Sequence, residues 1–307
     1  MSDYDAPSRD GSGNLIPLAD GQFDISGFRF GGDFDPILLD SFDPGEGEWA
    51  VQDVDNPFGG NTLFGRDYLR GPTWSFECFT NGYDINDSLD AVSEMGSIWK
   101  AEGLKSINGT YQILRYRLGS QTRRVYGRGR KFWAGVDARS YGGTAPVSLT
   151  FKLMSDMYFE DEEREALIPF VPPSTGGLTA PLTAPLTAVG TGAQRGGTIS
   201  DVGGTIPTPF HLYIKGEISR PWVQGPDWKI QLNMDVAHDQ TVHISTYAGA
   251  LIVEDNFGRN LTGRLAASTR LNEARLKPGP TSITFGGQSI SGLASARLTW
   301  RPAYPTL

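Results

Sequence analysis

Along much of the chain, apolar residues recur at every second position, which is the period of half-buried β-strands. In residues 73–80, Trp74, Phe76 and Cys78 alternate with other side chains, and residues 147–157 and 210–218 show a similar alternation. The same reasoning predicts strands at residues 111–118, 123–135, 228–236, 242–246, 251–254, 261–271, 281–285 and 294–300. Residues 14–56 predict short strands and loops, because Gly, Pro and Asp separate small apolar clusters there. The chain is therefore expected to be mainly β.

One segment has helical periodicity. Four apolar residues recur at spacings of three and four, namely Leu89, Val92, Met95 and Trp99. This stripe predicts an amphipathic helix over residues 87–102 that packs against a sheet. Asn86 or Asp87 is suited to cap the start of the helix, and Gly103 is suited to end it.

Composition divides the chain, whose 307 residues favour about two domains. Residues 168–209 are rich in Pro, Gly and Thr, and Leu-Thr-Ala recurs every four residues over 178–189. Proline there favours extended backbone. We predict an N-terminal domain at 1–167, a linker or arm at 168–209 and a C-terminal domain at 210–307. The strand number in the last domain is typical of an antiparallel sandwich.

Charge is unevenly distributed in a chain of net charge −8. Residues 1–60 hold 13 acids and two bases, whereas residues 171–307 hold 11 bases and eight acids. Such asymmetry points to electrostatic contact with a partner or with another copy of the chain. Neither an apolar run long enough to span a membrane nor the pattern of a signal peptide occurs in the sequence.

Residues 115–131 form a basic run that contrasts with the acidic residues 1–60. Seven bases fall within 17 residues with no acid among them, namely Arg115, Arg117, Arg123, Arg124, Arg128, Arg130 and Lys131. The acidic candidates for their partners are Asp33, Asp35, Asp40 and Asp43. We expect these two sets to form an interface between copies of the chain. A solvated hairpin and a nucleic-acid surface are the alternatives, and the acidity of the whole chain disfavours the second.

Signatures of catalysis and metal binding are scarce. The sequence lacks GxxxxGK[ST], HExxH, GxSxG and CxxC, and its single cysteine excludes an intrachain disulfide. His238 and His243, with Asp235 or Asp239, are a weak metal candidate, and exposed strand-end histidines are the simpler interpretation. The acids near the N-terminus lack calcium-loop spacing. We expect no enzyme activity, no cofactor and no metal.

Several phrases occur in an order that resembles the distal tail protein family of phages with long non-contractile tails, called minor tail proteins in phages of actinobacteria. The phrases are Gly71-Pro-Thr-Trp-Ser-Phe-Glu, Ser97-Ile-Trp-Lys-Ala-Glu, Leu114-Arg-Tyr-Arg, Val125-Tyr-Gly-Arg-Gly-Arg-Lys-Phe, Pro209-Phe-His-Leu-Tyr-Ile-Lys-Gly, Arg220-Pro221, Leu276-Lys-Pro-Gly, Ile283-Thr-Phe and Ala296-Arg-Leu-Thr-Trp-Arg-Pro-Ala-Tyr. They cover about residues 65–160 and 205–304. The family usually has proline at the position of Gly129, and the acidic start and the 178–189 repeat have no counterpart in the resemblance.

The resemblance implies an N-terminal belt domain, a β-barrel or sandwich with one flanking α-helix, followed by a C-terminal galectin-like β-sandwich. It implies a structural virion protein of the tail tip, assembled in the host cytoplasm as a homo-hexameric ring. The ring would join the tail-tube protein to the tip hub protein, and DNA would pass its lumen without specific binding. Receptor-binding or other minor tail proteins are further implied partners, with no active site and no membrane insertion. The acidic segment would line either a subunit interface or the lumen.

Two other functions stay open at this point. One is a carbohydrate-binding module for host-surface attachment, with Trp222 and Trp228 as candidate glycan contacts, because tryptophan beside polar groups can stack on a sugar ring. Packing in the core is the more common role of such residues. The other is a tail-associated hydrolase, which the missing nucleophile and metal motifs disfavour.

Overall fold

A computed structural model describes residues 15–56, 58–65, 67–170, 196–247, 249–288 and 294–307. The chain divides into two compact units. The first unit comprises Met1–Asp161 with Tyr304–Leu307, and the second comprises Glu162–Ala303. The second unit is thus inserted between two parts of the first. The 178–189 repeat lies outside the described residues.

These boundaries differ from the sequence-based division of the chain. Residues 164–169, placed by the sequence in the N-terminal domain and the linker, form a strand of the second unit. Residues 196–199, placed in the linker, form another strand of the same unit. Tyr304–Leu307, placed in the C-terminal domain, belong to the first unit. Non-local strand pairing sets these boundaries, and composition does not reveal it.

The first unit is built on one large antiparallel sheet. Its described strands are β1 (Phe23–Ile25), β2 (Phe28–Phe30), β3 (Ile37–Asp43), β4 (Glu48–Ala50), β5 (Val54–Asp55), β6 (Thr62–Leu63), β7 (Tyr68–Arg70), β8 (Thr73–Thr80), β9 (Gln112–Leu118), β10 (Gln121–Ala134), β11 (Pro146–Leu153) and β12 (Tyr158–Glu160). The main sheet has the order β2-β1-β9-β10-β11-β8-β3, and β12 pairs with β10. The strand predicted at 73–80 is confirmed residue for residue.

The predicted helix is confirmed with shifted ends, as α1 (Ile85–Lys100) followed by the short α2 (Glu102–Lys105). The side chain of Asp84, rather than Asn86 or Asp87, caps α1, because its carboxylate accepts the first backbone N–H groups. Ala101, with φ of 40°, ends α1 in the left-handed region before Gly103 is reached.

Helix α1 packs through a face that the apolar stripe describes only in part. Met95 and Trp99 are fully buried, but Leu89 is 48% exposed, so its place in the stripe is wrong. Gly96 lies in the contact instead, where an added Cβ would stand 3.1 Å from the ring of Phe132 on β10. A small residue brings the helix close to the sheet, and a hydrophobic pattern does not detect it.

Gly129 of β10 lies directly beneath the helix. A Cβ at this position would stand 2.6 Å from the carbonyl oxygen of Trp99, and the Gly129 amide donates to Gln112 Oε1 at 3.0 Å. Proline, which the resembling family usually has here, would clash with Trp99 and lacks the N–H. The departure of this sequence at Gly129 therefore has a local structural reason.

The second unit is a sandwich of two antiparallel sheets. Its described strands are β13 (Arg164–Pro169), β14 (Gly196–Ile199), β15 (Phe210–Lys215), β16 (Ile218–Gln224), β17 (Lys229–Gln231), β18 (Asp235–Val236), β19 (Thr241–Ser245), β20 (Ile252–Asp255), β21 (Thr281–Gln288) and β22 (Ser295–Trp300); β23 (Ala303–Tyr304) ends the chain's strands. One sheet has the order β13-β22-β15-β19-β20, and the other β14-β21-β16-β17 with β18 on β16. Apolar residues of both sheets meet in one core. The mainly β fold class is confirmed.

The strand predicted over residues 261–271 is wrong. Thr262–Arg264 form a 3-10 turn, and Leu265 makes a single bridge with Leu232. The side chain of Asn260 accepts the Thr262 amide at 2.8 Å, which favours a turn over a ladder.

Candidate assembly surfaces

The first half of the basic run is buried in an ionic cluster. Arg115 of β9 is 1% exposed, and it donates to both oxygens of Asp161 at 2.7–3.0 Å and to Asp24 at 2.8 Å. Arg124 lies opposite Arg115 on β10 and donates to Asp161 Oδ1 at 2.6 Å. Asp161 therefore lies between two guanidinium groups and neutralises their repulsion.

Asp161 stays ionised in this cluster. Burial raises the pKa of Asp161, but the hydrogen bonds and charges of Arg115 and Arg124 outweigh it, so the pKa lies below its usual value. Burial likewise lowers the pKa of Arg115, and its two carboxylates reverse that effect. Arg115 and Arg124 are satisfied inside the first unit and present no charge to another copy, which corrects their assignment to a subunit interface.

Arg123 and Arg117 are likewise engaged with the chain's own backbone. Arg123 is 7% exposed, donates to the carbonyl of Thr306 and lies 4.2 Å from the ring centroid of Tyr304. The Tyr304 hydroxyl in turn donates to Glu160 at 2.7 Å. Arg117 donates to the Leu18 carbonyl at 2.9 Å. These contacts hold both ends of the first unit's chain, which is a structural role.

The end of the run faces solvent, whereas Arg128 before it is half-buried. The pairing of β10 with β11 shifts register between Gly129 and Phe132, and such a bulge re-aims side chains. The consecutive Arg130 and Lys131 are both exposed there, although regular alternation would bury one of them. This end of the run therefore keeps its charge at the surface.

Lys105 of α2 extends this surface. Lys105 Nζ donates to the Trp99 carbonyl at 2.9 Å, and Arg128 donates to the carbonyls of Thr110 and Ile107 at 2.7–2.8 Å, so both are anchored to the segment around α2. Burial, followed by the positive charges of Arg130 and Arg128, lowers the pKa of Lys105. None of the four cations has a carboxylate within ion-pairing distance among the described residues. We call Lys105, Arg128, Arg130 and Lys131 the basic patch.

The acidic candidates also separate by burial. Asp35 is 7% exposed and accepts hydrogen bonds from Gln22 Nε2 and from the Gly32 amide at 2.8–2.9 Å, so it fixes a local turn. Asp33, Asp40 and Asp43 are exposed. Of the four acidic candidates, only these three are exposed to solvent.

Strands β4–β7 form a second surface that the charge pattern alone does not show. β4 pairs with β7, and β5 pairs with β6, in two separate two-stranded sheets. Its large apolar side chains are about half to fully exposed, namely Trp49, Val51, Val54, Phe58, Leu63, Phe64 and Tyr68. We call residues 46–70, without positions 57 and 66, the ribbon. A short apolar run predicts a strand but not whether its side chains are buried, so the sequence does not reveal this surface.

The two tryptophans do not form a sugar-stacking pair. Trp228 is 8% exposed, its ring packs 4.9 Å from that of Phe210, and its indole N–H donates to the Arg275 carbonyl at 2.8 Å. Trp222 is half-buried, with Lys229 Nζ 4.8 Å from its ring centroid. Trp228 is a core residue, as the simpler interpretation expected.

In the structure His243 lies next to His211, whereas the sequence suggested His238 as its partner. His211 Nδ1 lies 3.1 Å from His243 Nε2, and His243 Nδ1 lies 3.3 Å from Glu254, whereas His238 is exposed at a distance from this chain of contacts. Burial and the neighbouring charges of His243 and Arg301 lower the pKa of His211 to about 4. Within the described part of the chain, no group of three or more potential ligands is arranged to hold a metal.

Cys78 offers no nucleophile. It is buried on β8, and burial, followed by the charges of Glu77 and Asp40, raises the pKa of its thiol to about 12. A thiol of such a pKa is protonated near neutral pH.

The fold is similar to that of proteins of a phage adsorption apparatus and a phage baseplate. The Dit protein of phage SPP1, described as part of the hub adsorption apparatus of phages infecting Gram-positive bacteria, aligns with TM-score 0.54 at 10% identity, over 87% of this chain and 93% of its own. A chain of the phage P2 baseplate in its activated conformation with Ca aligns with TM-score 0.53 at 12% identity, over 93% and 99%. The same baseplate with Sr gives TM-score 0.53 at 11% identity.

This likeness is one of fold. No family model and no curated protein sequence matches the chain. In the described residues, no helix combines the length and the apolar character needed to cross a membrane. The structural neighbours are hub and baseplate proteins, and the alignments span nearly all of both chains.

Proposed function

We propose that this chain is a structural protein of a phage tail tip, which forms a ring between the tail tube and the tip hub. The observation that carries the proposal is the fold likeness to hub and baseplate proteins over 87–93% of this chain. Both units take part in the likeness, so it is not a match to one common β-sandwich alone. The proposed localisation is the virion tail tip.

Ring assembly needs two different surfaces on one chain, because every contact in a closed ring is heterologous. The first unit presents an acidic, apolar ribbon and a separate basic patch. We assign the ring contacts to the first unit, as a belt domain, and an outward galectin-like role to the sandwich of the second. The lumen of such a ring is the proposed passage for DNA.

The chemistry of the sites supports a non-catalytic role. The buried carboxylates Asp24 and Asp161 are bound to arginine, and the Cys78 thiol is protonated. With Trp228 in the core, no described feature favours the carbohydrate-binding alternative over the structural role.

The mass of the purified protein in solution, with negative-stain images, tests the proposal. A ring of six 33.4 kDa chains has a mass of about 200 kDa and a central hole. Purified tail tubes provide the second arm, because a ring that needs a template assembles only there. A chain that is monomeric alone and does not bind tail-tube ends contradicts the proposal.

A further inference from the structure

The ribbon exposes more apolar surface than a folded unit retains without a partner. Phe58 is 98% exposed and Phe64 is 86% exposed, and Trp49, Val54 and Leu63 are each more than half exposed. Monomeric proteins rarely leave large side chains clustered in this way, and such clusters mark interaction sites.

The ribbon's own pairing gives it little stability. Its two sheets have two strands each, and β5 and β6 contribute only two residues apiece. Isolated two-stranded sheets are marginal in water. Burial against a partner supplies the missing stabilisation, so we treat the ribbon as one half of an interface.

The charge of the ribbon indicates the chemistry of the partner surface. Glu46, Glu48, Asp53 and Asp55 are exposed along it, and its ion pair among the described residues, Glu48 with Arg70, is open at 3.9 Å. The partner surface should therefore be basic, with apolar side chains between its cations.

The basic patch has this composition. Arg128 donates to the backbone carbonyl of Ile107, which is 58% exposed, and Trp133 is 51% exposed two residues beyond Lys131 on β10. Lys131 in the bulge and Trp133 just after it are both exposed. Cations and apolar groups alternate here as acids and apolar groups do on the ribbon.

We propose that the ribbon of one copy docks on the basic patch of the next copy. The inference rests on the proposed ring and names its contact. A second copy is the partner that fits, because the complementary surfaces occur on the same unit and a head-to-tail contact between them propagates around a ring.

Charge exchange tests this contact. Asp53→Lys with Asp55→Lys reverses the charge of two of the four named ribbon acids, and Arg130→Glu with Lys131→Glu reverses the charge of two of the four patch cations. Each double variant is expected to lower the ring fraction at least tenfold, and the four changes together are expected to restore it. Asp239→Lys with Glu273→Lys, an equal charge change at exposed positions of the second unit, is the matched control and should leave the ring intact.

The outcomes separate the inference from the function. Rings that persist in both double variants overturn the docking contact but leave the proposed function standing. Loss in both without restoration in the combined variant overturns the pairing. Nucleic acid that copurifies with the wild type and is lost with the patch variant overturns it in favour of a nucleic-acid surface. A wild type that forms no ring alone or on tail tubes overturns both proposals.

The apolar part of the contact has its own measurement. Phe58→Ala with Phe64→Ala removes two nearly fully exposed side chains, so the first unit should fold unchanged. The dissociation constant between copies is expected to rise at least tenfold, because buried aromatic anchors dominate interface energies. An unchanged constant overturns the ribbon's role.

Discussion

The two units of the chain differ in where their large apolar side chains lie. The first buries charged groups in pairs, as in Arg115 with Asp24, and it leaves large apolar side chains on the ribbon in water. The second also pairs a buried carboxylate with a cation, Asp255 with Arg259, and half-buries a neutral His211, but most of its apolar side chains lie in one core. This difference agrees with the proposal that the first unit carries the ring contacts.

The largest expected effect concerns the charged cluster. Asp161→Ala leaves Arg115 and Arg124 buried without their shared carboxylate, so we expect the first unit to lose about 3–5 kcal/mol of unfolding free energy. Hydrogen exchange of peptides from β9 and β10 reports on this unit alone. Glu162→Ala is the matched control, since the next residue in the chain is also acidic but exposed. Equal protection in the two variants would show that the cluster does not hold the unit.

The sequence predicted the elements around this cluster but not the cluster. The strand at 73–80 in the same unit follows directly from its two-residue period, whereas the strand predicted over 210–218 in the second unit ends at Lys215. Arg115 and Asp161 lie 46 positions apart, and the charge pattern assigned Arg115 to an interface between copies and gave Asp161 no role. Local periodicity shows which residues of a strand share a face. It does not show which distant residues will lie opposite them in the fold.

A second test uses the histidine of the other unit. Because the folded pKa of His211, about 4, lies below the ordinary value of 6.5, the unfolded chain takes up the proton first. The stability of the second unit is therefore complete above about pH 6.5 and falls by about 3 kcal/mol as the pH approaches 4. Hydrogen exchange of β15 and β19 across this range measures the fall.

His211→Phe keeps the ring stacked on Tyr247, 4.8 Å away, and removes the titration, so the pH dependence should flatten. His238→Asn changes an exposed histidine and should leave the dependence as it is. The first unit should respond to pH differently. A carboxylate with a lowered pKa, such as Asp161, contributes stability that is lost only at pH below about 4. If the stability of both units fell together from pH 6.5 downward, the expected difference between the units would be wrong.

Gly129 gives a smaller effect in the first unit. Gly129→Ala places a methyl group 2.6 Å from the Trp99 carbonyl, so helix and sheet must separate, at a cost of about 1–3 kcal/mol. Gly103→Ala is the control, because no atom lies within 4 Å of its added Cβ. Exchange protection of α1 is the measurement. If both variants protect α1 equally, the close approach of helix and sheet is not required.

The limits of sequence-based prediction are clearest in the basic run. Seven similar residues lie within 17 positions, but three of them, Arg115, Arg123 and Arg124, are buried and two, Arg130 and Lys131, are exposed together by a bulge. A bulge depends on the register of two paired strands, which no local pattern records. The ribbon was hidden for a related reason, because exposure of Phe58 and Phe64 depends on what lies opposite them.

The smallest expected effect on stability therefore falls in the same run as one of the largest. Arg130→Ala with Lys131→Ala removes two exposed charges that have no ion pair among the described residues, and it should change the unfolding free energy of the first unit by less than about 0.5 kcal/mol. Arg124→Ala, six residues earlier on β10, removes the 2.6 Å bond to buried Asp161 and should cost several times as much. Exchange of the β10 peptides compares the two directly. Equal losses of unfolding free energy in the two variants would mean that the run acts as one structural element. The division into a buried half and a partner-facing half would then be wrong.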